Sequence, residues 1–226
     1  MICPILLLHW HNIERTALAL SLLAALVFWA SVAFPTYAGR WLIKWLAIAS
    51  LAVIVWQQRR SAQELWLAAA LLCHSAGDVL LDLDRTKLFL PAVAAFLCGH
   101  LLYIAAFWPN VIPVAPLSSG NKILIVVVIV VGLIMARILV PHLPKAMLVP
   151  ISVYMAAIST MAIAAILADY PTRWVVAGVL LYLFSDALIG FTTFVRPLAF
   201  SVYLIWPAYY LGQVLIALGF LQKNAA

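Results

Sequence analysis

Apolar residues run in long unbroken blocks along the chain, and charges and prolines punctuate them. The blocks cover about 16–34, 41–57, 63–83, 88–108, 122–140, 146–168, 174–194 and 199–221. Pro35 closes the first, Gln57-Gln58-Arg59-Arg60 the second, Asp84-Arg85 the third and Pro109 the fourth. Pro141, Asp169-Tyr170-Pro171, Arg196-Pro197 and Gln222-Lys223-Asn224 close the others. A hydrocarbon core of ~30 Å takes ~20 residues of helix. The pattern therefore predicts an all-α membrane protein, a bundle of about eight transmembrane helices forming a single integral membrane domain over residues 1–226. Barrel strands would alternate polar and apolar residues over ~10-residue segments, and these blocks do not.

The longest break, 109–121, holds Pro113, Pro116 and Ser118-Ser119-Gly120, and it is too short for a soluble domain. Any chemistry must come from within the helices or from their ends. An even number of spans puts both termini on one side. That side carries Arg15, Arg59, Arg60, Lys122, Arg173 and Lys223; the other carries Arg40, Lys44, Arg85, Lys87, Arg137, Lys145 and Arg196. With Lys44 and Arg137 set aside because they lie inside blocks, six face five, which favours cytoplasmic termini in a bacterial inner membrane. Trp41, Trp56, Trp66, Trp108 and Trp174 near block ends match an interfacial aromatic belt. The opening MICPILLLHWHNIER lacks a basic n-region and a small-residue cleavage site, and it reads as mature sequence.

Composition narrows the class further. Of 226 residues, 68% are apolar and 9% charged, and the mean hydropathy is +1.16. Soluble domains carry about 25% charged residues. A soluble enzyme, a disordered chain and a nucleic-acid binder are excluded. The net charge of +6 does not restore the last, because only Arg59-Arg60 are adjacent and no basic patch forms. Cys3, Cys73 and Cys98 form no CxxC pair, so neither a disulfide framework nor a cysteine metal site is expected.

Polar residues inside the blocks are the candidate chemistry. An Asp at a helix centre costs roughly 2.5–3.5 kcal/mol on insertion scales, so intramembrane acids are functional candidates by default. Asp78 and Asp186 qualify. His74, Asp78 and Asp82 are spaced i, i+4, i+8 along one helix face, and Arg85 continues the stripe. Tyr182, Ser185, Asp186, Gly190 and Thr193 accompany the second acid. Gly77-Asp78-Val79-Leu80-Leu81 and Ser185-Asp186-Ala187-Leu188-Ile189 both read small-Asp-x-Leu-aliphatic. They lie in the third and seventh of eight helices, which cross in the same direction, at depths that differ by about 3 Å. A parallel four-plus-four repeat would produce that arrangement, and the two carboxyls would then face one cavity. The plainer reading is that each Asp hydrogen-bonds a neighbouring helix or pairs with Lys44 or Arg137.

His100, in Cys98-Gly99-His100-Leu101-Leu102-Tyr103, suits an orienting hydrogen bond or a direct chemical role. Tyr103, Tyr154, Tyr209, Tyr210 and Gln213 are candidates to line the cavity. His74 and His100 with the acids offer metal-ligating groups, but no HExxH or comparable signature is present, and no metal or other cofactor is expected.

At these residues the chain resembles the YhhN-like lysoplasmalogenase family of integral membrane hydrolases. The resemblance rests on Gly77-Asp78 with Leu80-Leu81 and on Phe96-Leu97-Cys98-Gly99-His100-Leu101-Leu102-Tyr103-Ile104. Phe184-Ser185-Asp186 and Tyr209-Tyr210-Leu211-Gly212-Gln213 follow in the same order. One departure is Lys44-Trp45, where family members often have Lys-Pro. The resemblance implies a roughly eight-helix enzyme that hydrolyses the vinyl ether bond of lysoplasmalogens. The products are a fatty aldehyde and glycerophosphocholine or glycerophosphoethanolamine, and the implied partners are the lysophospholipid, water and the surrounding lipid.

The residues suit that reaction. Vinyl ether hydrolysis needs a proton at the outer alkenyl carbon, which makes an oxocarbenium ion; water then adds and the hemiacetal collapses. One carboxylic acid must stay protonated while a carboxylate stabilises the cation or activates water, and two nearby buried acids divide these roles. Lys44, Arg137 and Arg40, nearer the face opposite the termini, are candidates for the lysolipid phosphate. Two other classes also place acids within membrane helices. A proton-coupled or lipid-binding transporter is one. An intramembrane aspartyl protease is the other, but Ser75-Ala76-Gly77-Asp78 lacks its Gly-x-Gly-Asp, and Arg196-Pro197-Leu198-Ala199 is not its Pro-Ala-Leu.

Overall fold

A computed structural model describes residues 11–224. Cys3 and most of the opening segment read as mature sequence lie outside these residues. Among the described residues, eight helices are long and apolar enough to cross a membrane. They are α1 (Asn12–Ser31), α2 (Arg40–Gln57), α3 (Ala62–Leu83), α4 (Phe89–Phe107), α5 (Ser119–Leu139), α6 (Lys145–Leu167), α7 (Trp174–Phe194) and α8 (Ser201–Leu221). Helices satisfy their own backbone groups, which is why apolar blocks of this length fold this way in lipid.

The ends follow local chemistry. Ser61 caps α3 by accepting from the Gln63 N–H at 3.2 Å, and Glu64 accepts from the Ser61 N–H at 2.7 Å, a reciprocal capping box. Ser118 accepts from the Asn121 N–H at 3.2 Å and starts α5. Gly39 takes φ 87° just ahead of α2, a left-handed turn that suits a residue without Cβ. The first helix begins earlier than the predicted 16. Glu14 is only 2% exposed and accepts a 2.9 Å hydrogen bond from Gln58, just after α2, so its charge lies inside the helix instead of marking its edge.

Helix neighbours form a ring in the order α2, α3, α4, α6, α7, α8, with α8 returning to α2. The remaining two helices lie outside it. α1 packs on α2 and touches α8, and α5 packs on α6 and touches α7. Each half thus contributes one peripheral helix followed by three ring helices. Close approaches hold the third and fourth helices of each half together. A Cβ on Gly178 would come within 2.7 Å of the Gly212 carbonyl oxygen, and one on Gly212 within 2.8 Å of the Gly178 carbonyl oxygen. Trp41, Trp56, Trp66 and Trp108 are exposed at helix ends. Cys73 and Cys98 are free thiols.

Candidate active site

The ring encloses a cavity of about 140 Å³ that reaches all helices except α1. Lys44, Asp78, Tyr154, Asp186 and Tyr209 line it together. The two acids singled out by spacing therefore share one space, and the remaining wall is mostly aliphatic and aromatic.

Their surroundings differ. Asp78 is 2% exposed, and both its oxygens are occupied. Lys44 Nζ lies 2.8 Å from Oδ1, and the Tyr209 hydroxyl donates to Oδ2 at 2.7 Å. Lys44 in turn sits over the rings of Phe28 and Trp206, at 5.6 and 5.7 Å from their centroids. Asp186 is half-buried, and the Tyr154 hydroxyl donates to its Oδ2. Among the described residues no cation pairs with Asp186 and no hydrogen bond reaches its Oδ1. One carboxyl thus has an ammonium on one oxygen and a phenol on the other. The other carboxyl presents a free oxygen in apolar surroundings.

Beside the acids lies a buried aromatic and imidazole cluster. His74 stacks on Tyr103 with ring centroids 5.0 Å apart and meets His100 edge-on at 5.1 Å. Tyr182 lies 5.3 Å from His74, 5.2 Å from His100 and 5.2 Å from Tyr209. His100 also meets Tyr154 at 5.0 Å. The Tyr103 hydroxyl donates to Gln213 Oε1. Both histidines are fully buried, and neither ring has a side-chain hydrogen-bond partner among the described residues. They pack behind the tyrosines that hold the acids. Gly99 makes room for this, because a Cβ there would fall 2.6 Å from the His74 ring.

Several expected residues stand elsewhere. Asp82 lies one turn beyond Asp78 but pairs with Arg40, which donates from Nη2 at 2.6 Å and from Nε at 3.0 Å. Ser185 donates to the Ile205 carbonyl at 3.0 Å and braces α7 against α8. Tyr210 faces α1, with its hydroxyl 2.9 Å from Ser21 Oγ. Arg137 is exposed and lies off the cavity wall, and both Lys44 and Arg40 are engaged by carboxylates, so the phosphate reading meets two occupied cations and one distant one. The plainer reading of Asp78, pairing with Lys44, holds at the same time as its place in the cavity. Tyr182, noted in the sequence beside Asp186, is not among the residues expected to build the site, and Trp206 is not noted at all. Tyr182 precedes Asp186 by one helical turn, a usable signal; Trp206 had none, since tryptophans are common in this chain.

The YhhN family pattern matches residues 39–220. A lysoplasmalogenase of Mycobacterium bovis is 36% identical over 180 residues, covering 77% of this chain and 66% of the relative, just under two thirds of its length. Lysoplasmalogenase TMEM86B of Sus scrofa is 32% identical over 190 residues, covering 84% and 78% of the two chains. The Homo sapiens TMEM86B is 30% identical over 183 residues, covering 80% and 75%. No solved structure is significantly similar. With the pattern spanning seven of the eight helices and the two intramembrane acids in one cavity, the chain belongs to the YhhN family.

Proposed function

We propose that this protein hydrolyses the vinyl ether bond of a lysoplasmalogen, with Asp186 as the proton donor and Asp78 as the carboxylate. The observation that carries the reading is the unequal pairing of two carboxyls in one apolar cavity. Lys44 and Tyr209 take both oxygens of Asp78, which suits an anion. Removing an unpaired carboxylate from water costs several kcal/mol, and Asp186 has only a phenol beside it. Its neutral form fits: Oδ2 accepts from Tyr154 and Oδ1 carries the proton.

The steps balance within these two groups. Asp186 gives its proton to the outer alkenyl carbon, and the inner carbon becomes an oxocarbenium centre facing the Asp78 anion. Water adds to that centre and passes a proton to Asp78. The hemiacetal then collapses: Asp78 returns its proton to the departing glyceryl oxygen, and the hemiacetal hydroxyl gives its proton to Asp186. Both acids regain their starting states, and the products are an aldehyde and a glycerophosphodiester. Tyr154 and Tyr209 orient the carboxyls. The His74, His100, Tyr103, Tyr182 and Gln213 cluster holds those phenols in position. The names of the mycobacterial and mammalian relatives support the same reaction. The membrane supplies the lysolipid, and the whole chain acts as one integral membrane domain, in a bacterial inner membrane with cytoplasmic termini.

The test is purified protein supplied separately with an alkenyl and an acyl lysolipid. Aldehyde from the first, with little fatty acid from the second, is the expected result, since the cavity presents no activated serine. Absence of aldehyde, or faster ester cleavage, would overturn the reading.

A further inference from the structure

The cavity is lopsided. Its charged groups and tyrosine hydroxyls converge where α2, α3 and α8 meet α6 and α7, at Lys44, Asp78, Tyr209, Tyr154 and Asp186, while the Ser159 hydroxyl beside Gly132 is taken up by the Met155 carbonyl at 2.8 Å. The side of the cavity against α5, its α5 arm, is lined by Val131, Gly132, Met135 and Leu139, all without polar side chains. α5 is also the helix least embedded in the bundle: only Val128 and Leu139 are buried, and its most apolar stretch has a mean hydropathy of 3.2. A single helix therefore separates the arm from the lipid.

We propose that this arm binds the hydrocarbon chain of the lysolipid and that Met135 sets the chain length it accepts; the proposal rests on the hydrolase reading above. A vinyl ether held between the acids sends its glyceryl oxygen one way and its carbon chain the other. The Lys44–Asp78 end is ionic, which leaves the α5 arm as the apolar exit. Two contacts fix how near α5 lies. A Cβ on Gly132 would come 3.1 Å from Ser159 Oγ of α6, and a Cβ on Gly190 of α7 would come 3.0 Å from Leu139 Cδ1. Met135 lies between these contacts, three residues after Gly132 and four before Leu139, on the same helix face.

Selection here must come from fit. A chain leaving the bilayer for an apolar cavity gains no hydrophobic driving force, because lipid tails are equally apolar. The Met135 side chain on the α5 wall then decides how many carbons fit, and a thioether with three rotatable bonds adapts to a range of them.

The experiment compares kcat/KM for alkenyl lysolipids of about 12 and about 18 carbons in the unmodified protein, Met135→Trp and Met135→Ala. Met135→Trp should lower the long-to-short ratio about tenfold, with short-chain turnover retained, and Met135→Ala should move the ratio the other way. If the tryptophan variant loses all turnover, the direction of the alanine shift alone decides. Ratios within about twofold of the unmodified protein in each active variant would overturn the chain site and leave the hydrolase reading standing. No aldehyde from the unmodified protein on either chain would overturn the hydrolase reading, and the chain site with it.

Discussion

Asp78 has Lys44 on one oxygen and Tyr209 on the other, while Asp186 has Tyr154 alone. In the two-carboxylate mechanism proposed above, that asymmetry gives the acids separate duties, and neither works without the other. Asp78→Asn and Asp186→Asn should each lower aldehyde release by about a thousandfold, and the double variant should be little worse than either single one. Near-normal turnover in a properly folded single variant would end the two-carboxylate mechanism. Lys44 is expected to act through Asp78 and not through the phosphate. Lys44→Met should cut kcat about a hundredfold with KM changed less than about threefold, because the ammonium holds a charge needed in the transition state. A raised KM with kcat intact would return Lys44 to the headgroup. Arg137→Gln should leave both parameters within about twofold, as expected of an exposed side chain off the cavity. The acids themselves were legible, since an intramembrane Asp is costly and these two share their flanks. Their partners were not. Which cation meets which acid depends on how α2 lies along α3, and nothing in the spacing of Arg40 and Lys44 discloses that register.

Between α3 and α4 the packing leaves little room for a side chain at two positions. A Cβ on Gly77 would fall 2.8 Å from the Phe96 ring, and one on Gly99 would fall 2.6 Å from His74. Phe96 lines the cavity and has space to turn, but the His74 ring is wedged in the buried cluster, so at Gly99 the helices themselves must part. Gly99→Ala should therefore destabilise the protein by about 1–3 kcal/mol, measured as a lower melting temperature in detergent, and it should slow turnover by disturbing His74 and Tyr103. Gly120→Ala is the control: its nearest neighbour would be Ser118 Oγ at 3.9 Å, and its melting temperature should not fall. Equal melting of Gly99→Ala and the unmodified protein would show that the cluster has slack. At this scale the helices were readable from block length alone, and most ends fell within a few residues. The exception is instructive. Glu14 and Arg15 looked like a boundary because a charge in lipid is costly, but α1 continues through them, and the Gln58 amide supplies the hydrogen bond that makes burial of Glu14 tolerable.

Six helix ends are tied on one face of the molecule. Gln58 after α2 donates to Glu14 at the start of α1, and Lys223 after α8 donates to Gln63 at the start of α3, each within 3 Å. Lys223 also donates to Asn110 after α4. The segment after α4 joins the end of α6 through the Ile112 N–H and the Leu167 carbonyl, at 3.0 Å. Such links leave little freedom in how the bundle is threaded: the ends of α2, α4, α6 and α8 lie with the starts of α1 and α3. The count of eight was legible because each block is long enough to span. The ring order was not, since hydropathy says nothing of α4 skipping α5 to pack on α6. One cue was present in α5, which is the most apolar of the eight and lies at the periphery, where lipid replaces protein neighbours. The threading yields a direct expectation about sidedness. Reporters fused after Lys122 and after Lys223 should report the same compartment, and one fused after Arg196, beyond the far end of α7, should report the other. Matching signals at Arg196 and Lys223 would mean that α8 does not cross, and Tyr209 could then not reach Asp78 from within the bilayer.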